Sequence, residues 1–314
     1  MRFLFVFLLL ISRAFANDDQ ALDGQQWLQK VNHAMKNMNY HGTVVFMKHG
    51  QIDTMKYRHT FENGVETERL SSLNSPLREV TRHSNEISCL YKESQQKVET
   101  HHPIDRSFIV NLPLKPERLH DQYLFAVAGQ EMIAMRPAQV IAILPKDDLR
   151  YARKLWIDTT SLLPLKVEVY GQDGKTLEQV LFTELNLEDS AAPSDAALTA
   201  AEAEDDSHQH VSQAEAFEKS PFELKKWPAG FEKIFFIRNT MQQSKKTVDH
   251  LLISDGFSSV SIYFEAKGEK SIEGLRTLGP VNSYSRVIDD LQVTALGEVP
   301  LQTVELVAKS VSLR

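Results

Sequence analysis

The chain has 314 residues, 42% of them hydrophobic, a formal net charge of −7 and a single cysteine. That length supports two hydrophobic cores, and one cysteine excludes an intramolecular disulfide. The acidic balance argues against a nucleic-acid footprint.

Residues 1–16 read as a secretory leader. Met1-Arg2 is basic, residues 3–11 are apolar but too few to span a bilayer, and Ala14-Phe15-Ala16 is a small-x-small cleavage site. The mature chain is expected to begin at Asn17 and to be exported and soluble, because no later stretch is long and apolar enough for a membrane helix. With no cysteine at the cut, a lipoprotein anchor is not expected.

A first domain is expected over 17–187. It opens with a helix, since Trp27, Leu28, Val31, Met35 and Met38 recur at spacings of three and four. Strands follow, with His49-Gly50 and Asn63-Gly64 as tight turns. Residues 41–48 carry Val44 and Phe46 on one face and Val45 and Met47 on the other, the pattern of a strand covered on both sides. In 54–61, Met55, Tyr57 and Phe61 oppose Lys56, Arg58 and Thr60. Cys89 alternates with Ile87 and Tyr91 and reads as a small buried hydrophobe, with a thiol exposed for pairing between chains as the alternative. Leu112-Pro113-Leu114-Lys115-Pro116 is a stiff loop before a short helical stretch. From 127 to 184 strands follow one another as a meander, and Asp173-Gly174 suits a type I′ hairpin with two residues at positive φ. The domain is an antiparallel α+β unit with one long curved sheet.

Residues 188–220 form the domain boundary. Glu188, Asp189, Asp195, Glu202, Glu204, Asp205, Asp206, Glu215 and Glu218 are offset only by Lys219, and large apolar residues are almost absent between 190 and 216. Such a segment is expected to be a flexible linker, because it buries too little to offset its ordering entropy. His208-Gln209-His210 lies in it and is weak evidence for a metal.

A second domain is expected over 221–314. Pro228-Ala229-Gly230 turns between two extended runs, and Asp255-Gly256 makes a hairpin. Val260, Ile262 and Phe264 then share one face, opposite Ser259, Ser261 and Tyr263. Strands near 284–288 and 291–296 precede a helix opened by Pro300, with Val304, Val307, Ala308 and Val311 on one side.

Catalytic signatures are missing: no nucleophile elbow, no His-Glu-x-x-His, no phosphate loop and no dinucleotide fingerprint. Asp147-Asp148 and Asp289-Asp290 are adjacent, so on a strand each pair points to opposite faces. His101-His102-Pro103 reads as an exposed turn. Arg58, Arg69, Arg78, Arg82, Arg106 and Arg136 read mostly as solvated strand residues, although guanidinium suits an anionic head group. No cofactor and no metal are expected, and the chain reads as a binding protein, not an enzyme.

Several short stretches then stand in a telling order: Tyr57-Arg58-His59, Arg78-Glu79-Val80, Asn85-Glu86-Ile87-Ser88, Lys146-Asp147-Asp148-Leu149-Arg150-Tyr151, Leu155-Trp156-Ile157-Asp158 and Leu163-Pro164-Leu165-Lys166-Val167. Gly174-Lys175-Thr176-Leu177-Glu178-Gln179, Gly230-Phe231, Ser254-Asp255-Gly256 and Gly297-Glu298-Val299-Pro300 continue the series. By this order and spacing, nearly the whole mature chain resembles the RseB/MucB regulators of the envelope-stress sigma factor (sigma-E/AlgU).

The resemblance implies a first domain like the periplasmic lipoprotein carriers (LolA-like), an unclosed antiparallel barrel with helices whose concave face accepts acyl chains. Candidate lining residues are Val45, Met47, Tyr57, Leu90, Phe108, Ile143, Trp156 and Val167, with an ordinary filled core as the alternative. It also implies that the second domain binds the periplasmic segment of a membrane-spanning anti-sigma factor and shields it from regulated proteolysis. A lipid, lipopolysaccharide-like or mislocalised outer-membrane ligand would release that hold. Candidate partner-binding residues are Phe231, Phe235, Arg238, Tyr263 and Glu298. A lipid or lipoprotein carrier is the alternative function, an exported hydrolase is a weaker one, and a homo-oligomer stays open.

Overall fold

The computed structural model describes residues 22–48, 50–74, 78–83, 86–91, 96–101, 107–113, 115–188, 212–214, 217, 220–240, 247–268 and 271–314. The expected leader, the His102 and Arg106 readings, most of the expected linker and the His208/His210 pair lie outside those residues.

Helix α1 (Gly24–Asn37) starts at a reciprocal cap. The Asp23 side chain accepts from the Gln26 amide at 2.8 Å, and the Gln26 side chain accepts from the Asp23 amide at 2.9 Å. Its buried stripe is Leu28, Val31, Ala34 and Met35. Gly24 seats the helix start against the sheet, since a Cβ there would lie 2.9 Å from the Phe125 backbone.

The helix covers one face of an 11-stranded antiparallel sheet. Its strands are β1 (Asn39–Lys48), β2 (Gln51–Glu62), β3 (Val65–Ser72), β4 (Arg78–His83), β5 (Glu86–Tyr91) and β6 (Gln96–His101), then β7 (Tyr123–Ile133), β8 (Arg136–Pro145), β9 (Ala152–Asp158), β10 (Pro164–Tyr170) and β11 (Thr176–Glu188). Spatial order runs β6-β5-β4-β3-β2-β1-β11-β10-β9-β8-β7, so the sheet is unclosed and two meanders join at the β1–β11 seam. At that seam a Cβ on Gly42 would lie 2.0 Å from the Glu184 carbonyl oxygen, so only glycine lets the strands approach.

The second unit is a 7-stranded sheet: β12 (Ser212–Ala214), β14 (Glu232–Thr240), β15 (Thr247–Ser254), β16 (Ser259–Ala266), β17 (Gly274–Leu278), β18 (Val281–Ile288) and β19 (Leu291–Gly297). Helix α2 (Leu301–Ser310) packs Val304, Val307 and Ala308 against Val260, Ile262, Phe264, Val293 and Ala295, all buried. Strand β13 (Phe222–Leu224) pairs with β20 (Val311–Leu313) in a separate two-stranded ribbon.

Three expectations need correction. Asn63 and Gly64 both take positive φ, but at Asp173-Gly174 only Gly174 does. The β10–β11 connection is a longer loop closed by Gly171 N–H to Lys175 O at 2.8 Å, and such loops are built around a type I turn. Strand β1 is covered unequally: Val44 is fully buried, whereas Met47 is 39% exposed. Arg82 is not a solvated strand residue, being 2% exposed between Glu66 and Glu68.

The two units are tied by residues 147–153, which insert into the second one. Arg150 Nε donates to Asp255 Oδ2 at 2.5 Å, while its terminal nitrogens donate to Asp147 and to the Ala229 carbonyl. Tyr123 donates to the same Asp255 oxygen at 2.8 Å. Thr303 donates to the Leu149 carbonyl at 2.7 Å, and Asn282 donates to Tyr151 Oη at 2.8 Å.

Candidate functional site

Cross-strand partners share a face of a sheet, and the register assigns every candidate in β1–β11. Val45 stands opposite Leu181, which stands opposite Lys166, which stands opposite Trp156. Val45, Met47 and Trp156 therefore lie on one face, as does Leu90 through Glu79, Ser71, Lys56 and Thr43. Tyr57, Ile143 and Val167 lie on the other, which α1 covers; Phe108 joins them from the crossing segment, packed on the same core. The eight do not line one surface. Tyr57, Ile143, Trp156 and Val167 are buried, and Trp156 is held by Glu131 at 2.9 Å and by Lys166 4.2 Å from its ring centre.

The core face carries a trough of about 310 Å³. Phe46, Met55, Leu70 and Val80 form its apolar wall, and Lys48, Gln51, Asp53 and Glu178 its polar end. A cavity of this size with a few convergent polar groups suits part of an acyl chain. Of these residues only the apolar phase of β1 and β2 was legible in advance.

Beside the trough wall, the same face buries a charged cluster. Glu68, 1% exposed, accepts from Tyr57 at 2.7 Å, Arg82 at 3.0 Å, Ser107 at 2.6 Å and the Phe108 amide at 3.0 Å. His59 donates from Nδ1 to the Met38 carbonyl at 2.7 Å and meets Glu66 with Nε2 at 3.2 Å. Burial pushes the Glu66 carboxyl upward, but hydrogen bonds from His59 and Arg82 outweigh it and hold the group at about 2. Burial also drives the Tyr40 and Tyr57 phenols well above their ordinary range, so both stay neutral hydrogen-bonding groups. The cluster ties β2, β3 and β4 to residues 107 and 108. Its groups pair with one another, which marks it as a structural brace.

The second opening is a groove of about 470 Å³ between the two units. Phe235, His250, Leu252, Ser261, Tyr263, Leu296 and Glu298 line it from the second sheet, Asn111 and Arg153 from the first domain. His250 stacks on Tyr263 with centres 4.3 Å apart and meets Phe235 edge-on at 4.9 Å, so three adjacent strands present an aromatic ladder. Asn111 Oδ1 is buried there and accepts no hydrogen bond among the described residues.

Of the partner-binding candidates, Phe235, Tyr263 and Glu298 come together in this groove. Phe231 does not: it is buried in the α2 core with the Arg150 guanidinium 5.0 Å from its ring centre. Arg238 does not either, being held by Asp249 at 2.7 and 2.8 Å. His250 and Arg153 were missed, because a groove between domains leaves no local periodicity. Among the described residues no cluster of His, Cys, Asp and Glu could hold a metal, and no helix is long and apolar enough to cross a membrane.

An unclosed sheet with an apolar trough, joined to a smaller sheet domain by a shared groove, defines a two-domain binding protein. The chain belongs to the MucB/RseB family: its N-terminal domain family matches residues 23–204 and its C-terminal domain family residues 216–312. It is 32% identical to the sigma factor AlgU regulatory protein MucB of Pseudomonas aeruginosa, covering 99% of this chain and 98% of that one. It is 28% identical to the sigma-E factor regulatory protein RseB of Escherichia coli K12, covering 90% and 89%. Among solved structures it resembles MucB in complex with MucA(peri), with a TM-score of 0.72, 27% identity and coverage of 93% and 99%. A structure of MucB gives a TM-score of 0.64 at 25% identity, covering 93% and 98%. These curated relatives are named as regulatory proteins, not enzymes.

Proposed function

We propose that this chain is a periplasmic regulator of an envelope-stress sigma factor, acting by holding the periplasmic segment of a membrane-spanning anti-sigma factor in the groove between its domains. Occupying that segment shields it from regulated proteolysis. The observation that carries the reading is the groove itself, which takes its walls from both domains and combines an aromatic ladder with an acceptor at Asn111 that is unmet among the described residues. Recognition surfaces use such aromatic anchors beside polar groups. That MucB has been solved with MucA(peri) supports the same assignment.

The trough supplies the input. An acyl chain of a lipid or mislocalised outer-membrane component seats against Phe46, Met55, Leu70 and Val80 and lowers affinity for the anti-sigma segment. Both effects report one coupling free energy, so saturating partner must weaken lipid binding by the same factor. Calorimetry on the whole mature chain tests this by measuring each affinity with and without the other ligand. Tyr263→Ala should weaken partner binding about tenfold or more. Unchanged affinities in both directions would remove the regulatory reading. A carrier is the second reading, because the trough belongs to the first domain alone; a carrier binds lipid with no response to the partner.

A further inference from the structure

Lys48 lines the trough and bonds a residue that lines the groove. It ends β1 directly opposite Glu178 on β11, with Nζ 3.2 Å from Glu178 Oε2, and both residues line the polar end of the trough. The same ammonium group bonds Glu298, which belongs to the second domain and lines the groove. One cation thus holds two carboxylates, one from each domain.

The backbone on the far side is fixed. A Cβ on Gly297 would lie 2.3 Å from the Ser259 carbonyl oxygen, so this turn is pressed on β16. Asn282 donates to the Val299 carbonyl at 2.7 Å. The Glu298 side chain, 43% exposed, is the movable part. Glu178 is the opposite case. Burial and then the nearby Glu298 raise its carboxyl above the ordinary range, and Lys48 and Arg153 act against that. Removing Lys48 from between them leaves two carboxylates facing each other across the domain boundary.

We propose that Lys48, Glu178 and Glu298 form an ionic latch, and that an amphiphile in the trough opens it by bringing an anionic head group, carboxylate or phosphate, onto Lys48 in place of Glu298. The inference rests on the trough reading above and adds the class of head group and the residues that respond to it. The apolar wall fixes where the tail lies, and Lys48 is the one cation among the described residues lining the trough, so it is the partner they offer an anionic head. Asp53 and Glu178 disfavour any further anion. The exchange therefore trades Glu298 for the head group, and the freed carboxylate changes the charge and shape of the groove.

The test uses the whole mature chain and three single-chain probes below their micellar concentrations: dodecyl phosphate, dodecyl maltoside and dodecyltrimethylammonium. Calorimetry is run on wild type, Glu298→Gln and Lys48→Met, the last of which keeps the aliphatic stem. Glu298→Gln should raise affinity for dodecyl phosphate about fivefold or more, the lower end of ordinary coupling, and leave dodecyl maltoside unchanged. Lys48→Met should weaken dodecyl phosphate alone. Equal effects on the neutral probe, no effect of either variant, or a preference for the cationic probe would each overturn the latch while leaving the trough. If none of the three probes binds wild type, the trough reading fails and the latch falls with it.

Discussion

Arg150 and Asp255 pair across the domain boundary with both side chains shut off from solvent, Nε 2.5 Å from Oδ2. The guanidinium also lies 5.5 Å from the Tyr123 ring centre and 5.0 Å from that of Phe231, one aromatic from each domain. Breaking a buried pair by removing one partner leaves an uncompensated charge and costs about 3–5 kcal/mol. Arg150→Met should lose that much in urea unfolding and split one transition into two. Asp255→Asn on top of it should recover part of the loss. A single mutant with unchanged midpoint would show that the clamp adds nothing.

Acid should loosen the brace around Glu66. Its folded value of about 2 lies below the ordinary 4.5. A depressed carboxyl contributes stability that is fully present above the ordinary value and is lost as pH falls through the folded one. The contribution is on the order of 2 kcal/mol. Unfolding free energy should therefore fall between pH 4.5 and about 2, and Glu66→Gln should flatten that slope. An identical slope in the variant would assign the acid lability elsewhere.

Glu178 should behave in the opposite sense. Burial first, and Glu298 second, raise its carboxyl. The stability linked to the protonated form is present below the ordinary value of 4.5 and is lost as pH rises through the higher folded value. Glu178→Gln should therefore stabilise the protein at pH 7. The gain should vanish in acid. Thermal melts at the two extremes of pH measure it, and a loss at pH 7 contradicts the assignment.

The two faces of the first sheet should answer differently to charge. Val80→Glu places a carboxylate in the trough wall and should weaken dodecyl maltoside binding about tenfold, roughly 1.4 kcal/mol. Met47→Glu puts the same charge at a 39% exposed position on the opposite face and should change affinity less than about twofold. The reverse ranking would move the ligand to the other face.

Local periodicity made much of this fold readable. The helical stripe of Leu28, Val31 and Met35 and the alternation of Val260, Ile262 and Phe264 are buried where the pattern put them. The charged brace was readable in part. His59 falls in phase with Met55 and Tyr57, Glu68 with Leu70, and Arg82 with Val80, so each is a polar residue on the apolar phase. That misplacement is the signal for a buried polar group, and reading Arg82 as solvated overlooked it. The Lys48–Glu298 contact and the Arg150 clamp join residues far apart in the chain, and no window of sequence contains them. The lipid candidates were chosen for apolarity alone. Apolarity does not tell which face a strand shows, which is why Val45 and Tyr57 ended on opposite sides.

The β1–β11 seam also orders events in time. Each meander of the first sheet joins strands that are neighbours in sequence, whereas Asn39 must find Glu188. Loop closure over that distance is paid before the contacts return anything, which makes such pairing slow. We expect the two meanders to form first and to wait with Val44 and Phe182 unburied until the seam closes. Pulsed hydrogen exchange that protected β1–β11 amides ahead of those in β8–β9 would contradict this order. A newly made chain is then at its stickiest in the interval before closure, and Gly42, which carries no side chain to hold the strands apart, lets the seam shut and end it.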